Sequence, residues 1–577
     1  MELIATPKPL NALAANGSAV EHIKDRSNYL RGNLVEDFHN PITAAISEDN
    51  VQLVKFHGSY MQDDRDVRLH RQDKKLEPAY SFMIRLRVAG GDLSADQWVK
   101  LDDISNRYGN GTSRITTRQA LQFHGIIKFD LKNTIKAMDA ALLDSIAGCG
   151  DVNRNVMCTP DPTLSNLHAQ VFPWAQKISE HLLPRSRAYH EIWLDEAEGK
   201  TLVAGGEAEE IEPLYGKHYL PRKFKIAIAI SPFNDMDIYA NDIGLIAVEE
   251  NSKLLGFNVA VGGGLGFTFG REDTYARLAS EIGFCTPEQV LDVCFHTVAI
   301  QRDYGNRADR KLSRFKYTID RQGLDWFKQE LNARLGFDLG EVRPFVFDTT
   351  GDRFGWRSTT DGLWHLGLRL EYGRVLDNET HRLKSALRSI AEQNLCGFRM
   401  TGNQNLILTG VREEHIDAVE SILQAHGYAA DASHLSGLRR NSIACVALNT
   451  CPQAMAEAER YLPDLITKLE VSLDKHGLRN EEIKIRMTGC PNGCGRSVLG
   501  EIGLIGKSPG RYNLYLGASF NGDRLNALCR ENLDEAGLLK VLDELFAAFT
   551  AKRIEGEPLG EFVTRCRYVR HPATKGK

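Results

Sequence analysis

The chain has 577 residues, enough for several domains, and at 42% hydrophobic and 25% charged it has the make-up of an ordinary soluble globular protein. A formal net charge of −5 argues against a nucleic-acid binder, and no apolar run is long enough to span a bilayer. The opening residues, MELIATPKPLNALAANG, carry an early acid and no basic stretch, so they do not read as a signal peptide. The expectation is a cytoplasmic protein, where thiols stay reduced and clustered cysteines favour metal binding over disulfides.

In chain order, the first seventy or so residues read as an extension that wraps the core. Strands are expected at the apolar runs SFMIRLRV, RITT, LQFHGIIKF, KIAIAI, FNVAVGG, HLGLRLEYG, NLILTGV, IKIRMTG and NLYLGA. Helical apolar spacing falls between them, as in SADQWVKLDDISNRYG and ETHRLKSALRSIAEQN. The alternation predicts α/β or α+β layers. The tail after about Lys552 is charged and contains glycine and proline, and is expected to be extended.

The chain is also doubled. Arg114/Arg399, Thr116/Thr401, Gln119/Gln404, Leu121/Leu406 and Gly125/Gly410 share an offset of 285 residues. FKIAIAISP from Phe224 matches IKIRMTGCP from Ile483, and DIGLIAV from Asp242 matches EIGLIGK from Glu501, both at an offset of 259. FNVAVGG from Phe257 then resembles YNLYLGA from Tyr512. Several matches in one order point to duplication, with a ligand cleft between the copies. Only the second copy kept its cysteines, because Ser231 stands where Cys490 stands.

Cys445 and Cys451 lie in IACVALNTCPQAMAEAER, and Cys490 and Cys494 in MTGCPNGCGR. Four thiolates suit an iron–sulfur cluster or a structural zinc. The spacings, C-x5-C and C-x3-C, are rarely used by zinc ribbons and favour iron–sulfur. Pro452 is expected to open a helix over PQAMAEAERYL, which would place Cys451 at its N-cap. The other seven cysteines read as buried small hydrophobes. Several cations sit in or beside apolar strands of the first half: Arg85 with Arg87, Arg114, Arg118, Arg154, Lys223 and Lys225, with His124 nearby in QFHG. Converging on a cleft, they would bind a strongly anionic ligand. VGGGLG at Val261 does not open a helix as a dinucleotide fingerprint does, and reads as a strand-end turn.

FHGSYMQDDRD, TTRQALQFHGI, NRNVMCT, ISEHLLPRSRAY, YLPRKFK, VGGGLG, GNQNLI, NTCPQAMAEAERYLP and TGCPNGCGR together resemble the sirohaem-dependent sulfite and nitrite reductases, from about residue 50 to 570. The resemblance implies a duplicated, pseudo-twofold α+β fold: ferredoxin-like half-domains at 76–145 and 346–425, and larger α/β domains at 146–345 and 426–577, behind an N-terminal extension at 1–75. It implies a 4Fe–4S cluster on Cys445, Cys451, Cys490 and Cys494, with Cys494 also bonded to the sirohaem iron. It places Arg114, Thr116, Arg118, Gln122, His124 and Asn492 around the macrocycle, whose carboxylates would account for so many cations. It places Arg85, Arg154, Lys223 and Lys225 on the substrate face. QDDRD and ISEHLLPRSRAY favour the sulfite-reducing members that take electrons from an NADPH-fed FAD/FMN flavoprotein, with no nucleic-acid or membrane partner. A nitrite reductase or a ferredoxin-fed sulfite reductase of the same fold is the alternative. A non-catalytic cluster protein would need no basic pocket.

Overall fold

A computed structural model describes residues 17–185, 192–196, 199–204 and 212–570. The end of the ISEHLLPRSRAY motif, the first sixteen residues and the last seven lie outside the described residues. Among the described residues the strands form two small sheets and two large ones, each of five strands, plus a hairpin of Ile192–Glu196 and Gly199–Ala204.

The first small sheet runs Ser59–Asp63, Tyr80–Arg85, Leu121–Ile126, Ser113–Ile115, Arg374–Val375. The second runs Gly355–Ser358, Trp364–Leu368, Leu406–Val411, Gly397–Met400, Asp92–Leu93. The fifth strand of each sheet comes from the other half of the chain: Arg374–Val375 pairs with Ser113–Ile115, and Asp92–Leu93 with Gly397–Met400. This reciprocal exchange fixes the halves together through backbone hydrogen bonds. Helix Ala95–Arg107, started by a Ser94/Gln97 capping box, adds to the join, because its Trp98 stacks on Phe398 with ring centres 4.5 Å apart.

The large sheets also repeat. One runs Met157–Cys158, Ile226–Ile230, Ile243–Glu250, Lys253–Val261, Ser280–Cys285; the other runs Ser442–Ala444, Ile485–Thr488, Ile502–Ser508, Arg511–Leu516, Ala527–Leu533. In each, the first three strands are parallel and the last two antiparallel. The pairing Ile243↔Ile226 recurs as Ile502↔Ile485, so the offset of 259 read from the sequence is also one of register. Every residue of Ile226–Ile230 is buried, as a strand covered on both faces requires. One apolar cluster joins both small sheets to the first large sheet; another packs the second large sheet under helices Leu462–Lys475 and Glu535–Lys552.

Two expectations are corrected here. The N-terminal segment does more than wrap: Ser59–Asp63 is a full edge strand, paired along its length with Tyr80–Arg85. Among the described residues, the tail after Lys552 is not extended. It turns into helix Leu559–Arg565, which buries Leu559, Phe562 and Val563, and its Gly560 N–H donates to Glu501 Oε1 at 2.8 Å. Its charged residues mask an apolar face with helical spacing. No helix among the described residues is long and apolar enough to cross a membrane.

Candidate cofactor and substrate site

Cys445 and Cys490 each follow the end of one of two adjacent parallel strands, Ser442–Ala444 and Ile485–Thr488, so the sheet sets the two cysteine loops side by side. The loops then bond to each other. Gly489 N–H donates to Cys445 Sγ at 3.3 Å, and the N–H groups of Met455 and Ala456 donate to Gly489 O at 2.7 and 3.1 Å. Backbone N–H groups of Gln453 and Ala454 reach the Cys451 sulfur, and that of Asn492 reaches Cys490. Donors aimed at sulfur stabilise thiolate and tune a cluster's potential. The four thiols are near enough for their charges to bear on one another. Burial first, and then Cys494, pushes the thiols of Cys445 and Cys451 up, and that of Cys490 up to about 12, so metal binding must displace their protons. Among the described residues no three His, Cys, Asp or Glu side chains are placed to hold a single metal ion.

The helix expected at Pro452 is absent, and with it the N-cap role of Cys451. Residues 452–461 form turns, and the next helix begins at Leu462. The reason is a contact made across the site: the N–H groups of Met455 and Ala456 are spent on Gly489 and cannot close a helical turn.

QDDRD holds this loop from the N-terminal side. Arg65 donates to Ala454 O at 2.7 Å and to Cys451 O at 3.4 Å, Asp64 accepts from Asn449 Nδ2 at 2.7 Å, and Asp66 pairs with Arg460 at 2.6 Å. Arg65→Ala is expected to lower iron and acid-labile sulfide in the purified protein while leaving the fold intact. Full iron and sulfide content would refute that role.

The cations of the first half are arranged by strand register. Arg85 lies opposite Gln122, Gln122 opposite Arg114, and Arg114 opposite Arg374, so one row crosses four strands on one face. With its amide oxygen toward Arg85, Gln122 accepts from Nη2 at 2.5 Å and Nε at 3.0 Å. Arg85 Nη1 also lies 3.4 Å from Cys149 Sγ. Arg114 and Arg374 both pair with Glu459 at 2.7 Å, and Arg114 also donates to Ala444 O at 2.9 Å. His124 is buried and its Nε2 has no partner; burial, then Arg374 and Arg114, hold the ring well below its usual pKa and therefore neutral. Arg118 is largely spent on the scaffold, donating to Asn241 Oδ1 and to the carbonyls of Asn155 and Ile226, with Nε left over. Thr116 Oγ1 accepts from Arg118 N–H at 3.2 Å. Asn492 is exposed, with Nδ2 3.5 Å from Cys490 Sγ. Arg87 points elsewhere, to Asp144 and Ser179.

Lys223 and Lys225 flank buried Phe224 at the start of strand Ile226–Ile230, and Arg154 N–H donates to Phe224 O at 2.9 Å. Arg154 is fixed by Gly150 O at 2.8 Å and Gly148 O at 3.3 Å. Neither lysine has an ion-pair partner among the described residues. Burial pushes Lys223 down to about 7; Cys494 opposes that, and Arg222 and Arg314 add to it. Burial, then Lys223 and Arg314, pushes Lys225 well below its usual value. Cys494, the one exposed member of the four, bears on both Lys223 and Arg85. Enclosed, unpaired cations call for an anionic ligand. The unpartnered Nε of Arg118, the unpartnered Nε2 of His124 and the two free lysines fit a polycarboxylate macrocycle with an oxyanion beside it.

Sequence reasoning missed Arg374 and Glu459, and Thr117, whose Oγ1 donates to Cys494 O at 2.9 Å. It missed Arg314, ion-paired to Asp242 at 3.0 Å, and Tyr60, which bonds Arg154. Tyr60 lay within FHGSYMQDDRD, and Arg374 only became visible through the strand exchange. VGGGLG ends its strand at Val261 and packs on the cysteine loop, with Phe267 N–H donating to Pro491 O at 3.0 Å. Cys149, Cys158, Cys285, Cys294 and Cys396 are buried, while Cys529 and Cys566 are half-buried.

Fold and site together define a redox enzyme in which a cysteine-bearing half faces a cation-bearing half. The nitrite/sulfite reductase ferredoxin-like half domain matches residues 74–141 and 357–426, and the nitrite and sulphite reductase 4Fe-4S domain matches residues 174–339. That last match covers the copy holding Lys223 and Lys225; the four cysteines lie in the other copy. The chain is 54% identical over 554 residues to the sulfite reductase [NADPH] hemoprotein beta-component of Shouchella clausii, covering 96% of each. It is 52% identical over 563 residues to the Bacillus subtilis protein of the same name, covering 98% of each. The NirA protein of Mycobacterium tuberculosis shares the fold, with a TM-score of 0.77 at 24% identity over 95% of this chain and 96% of that one. The chain belongs to the nitrite and sulfite reductase family, the oxidoreductases that carry sirohaem and a 4Fe–4S cluster.

Proposed function

We propose that this chain reduces sulfite to sulfide in the cytoplasm, with electrons delivered by a separate NADPH-oxidising flavoprotein. The observation that carries the reading is the pair of unpaired lysines, set with Arg85 and Arg154 in the half that faces Cys494. The names of the two curated relatives support the substrate and the donor. A non-catalytic cluster protein would not keep such cations enclosed and unpaired. Nitrite as substrate remains the second reading, because the same pocket would take either anion.

Cys445, Cys451, Cys490 and Cys494 would hold the cluster, and Cys494, the most open of them, would also be the thiolate shared with the sirohaem iron. Arg114, Thr116, Arg118, Gln122, His124 and Asn492 would hold the macrocycle. When bound, the two groups would pass to the substrate the electrons that the flavoprotein delivers. Reduction consumes six electrons and seven protons per sulfite, giving hydrosulfide and three waters. Arg85 and Arg154 would clamp the anion. Lys223 and Lys225 would give up protons as each oxygen leaves, since a lysine pushed down toward neutrality is a competent acid.

A pH dependence follows. The lysines attract the anion only when protonated, so kcat/KM for sulfite should fall as pH rises through the pKa of Lys223, about 7 in the free protein and higher with an anion bound. Lys223→Arg keeps its charge and should move the fall to higher pH. Sulfite's own ionisation is common to both enzymes, so the difference isolates the lysine; coincident profiles would remove Lys223 from the site. The donor is tested by supplying NADPH with and without the flavoprotein subunit. Sulfide is expected only with it, and turnover on reduced ferredoxin alone would reassign the donor.

A further inference from the structure

Asp237 and Arg496 stand 259 residues apart, so they occupy the same place in the two copies. The same offset puts Asp235 at Cys494. The loop ending in Asp237 is therefore the cysteine loop's counterpart in the half that has no cluster. The two loops meet: Arg496 Nη1 lies 2.7 Å from Asp237 Oδ2. Their backbones match too. Asp237 has φ 44° and Arg496 φ 54°, and each precedes a single 3-10 turn, Ile238–Ala240 and Ser497–Leu499.

Asp237 holds a second arginine. Arg486 Nη1 lies 2.7 Å from Asp237 Oδ2, and Nη2 donates to Oδ1 at 3.4 Å. Arg486 sits in the strand that leads into Cys490, and Arg496 sits two residues past Cys494. One carboxylate from the first half thus grips the CPNGCG loop at both ends. All three side chains are buried, with residue exposures of 1% for Asp237, 2% for Arg486 and 6% for Arg496. Arg496 passes the constraint on, since its N–H donates to Gly493 O at 3.0 Å and its Nη2 donates to Asn403 Oδ1 at 2.8 Å and to the Gly402 carbonyl. A buried ion pair is a poor device for stability alone, but a good one for fixing a register.

We infer that Asp237 is a positioning residue: through Arg486 and Arg496 it sets Cys494 against the substrate-binding cations of the first half. The inference rests on Cys494 being the shared ligand in the proposed function.

The test uses the purified holoenzyme. Asp237→Asn keeps the shape and removes the charge. It should retain both cofactors, alter the optical and EPR signature of the coupled centre, shift its midpoint potential and lower kcat roughly ten- to a hundredfold with KM nearly unchanged. Asp237→Glu should recover part of the signature. Glu470→Gln breaks a less buried arginine pair, Arg439 to Glu470 at 2.9 Å, and should lower Tm without touching the signature. An Asp237→Asn enzyme with wild-type signature and potential would overturn the inference. If that variant does not fold, Arg486→Gln decides, because it removes an arm that Asp237 holds and leaves Arg496 and its bond to Asn403 in place. An altered signature supports the inference, and an unaltered one overturns it. Wild-type protein that fails to reduce sulfite would sink the functional reading instead, leaving the spectral comparison readable.

Discussion

Lys225→Met is expected to carry both cofactors, to reduce sulfite about 10²- to 10⁴-fold more slowly, and to be more stable than the wild type. Lys225 stands one residue before the buried strand Ile226–Ile230, on the same side as Lys223. Burial, Lys223, Arg314 and Arg118 all disfavour its charge. Arginine is a much weaker acid than lysine, so its arginine neighbours are poor replacements. The sign of the stability change follows from linkage. A lysine whose folded pKa is depressed below its unfolded value costs stability below the folded pKa, and the cost fades as pH rises toward the unfolded pKa. Methionine removes the cost, so the gain should be largest at acid pH, shrink as pH rises through the folded pKa, and vanish at alkaline pH. Lost turnover with a raised Tm marks a functional cation, because a structural one would show both falling. Wild-type turnover in this variant would end the acid role.

Cys494→Ser is expected to abolish the electronic coupling between cluster and macrocycle, and with it nearly all sulfite reduction, while leaving the protein folded. Cys494 is exposed, and its carbonyl is held by Thr117, so the loop has support that does not depend on the thiol. Cys445 and Cys490 are anchored in the sheet and should still bind iron. The measurement is the optical and EPR signature of the purified variant against its iron and acid-labile sulfide content. An unchanged coupled signature would show that another cysteine is the shared ligand.

Much of this was legible in the residues. Two cysteine pairs with distinct spacings pointed to the proposed ligand set, and fixed offsets to the duplication, because a repeat keeps its register even when its side chains diverge. The row of Arg85, Gln122 and Arg114 was visible only as scattered cations, since cross-strand pairing depends on register that no single segment carries. Arg374 was invisible as a partner because its strand pairs in the opposite half's sheet. Pro452 misled for a related reason. Proline at a first-turn position is a good local helix signal, yet the donors that would build the helix are captured by Gly489, a contact made across the site. The apolar face of Leu559–Arg565 was hidden by the charges around it, and the edge strand Ser59–Asp63 by having no copy in the second half.

The most direct test of the account is kcat/KM for sulfite and for nitrite on one preparation, with a reduced viologen dye as donor and sulfide and ammonia both assayed. Sulfite reduction at this site predicts a clear preference for sulfite, with six electrons consumed per sulfide formed. A preference for nitrite, with ammonia as the main product, would contradict it.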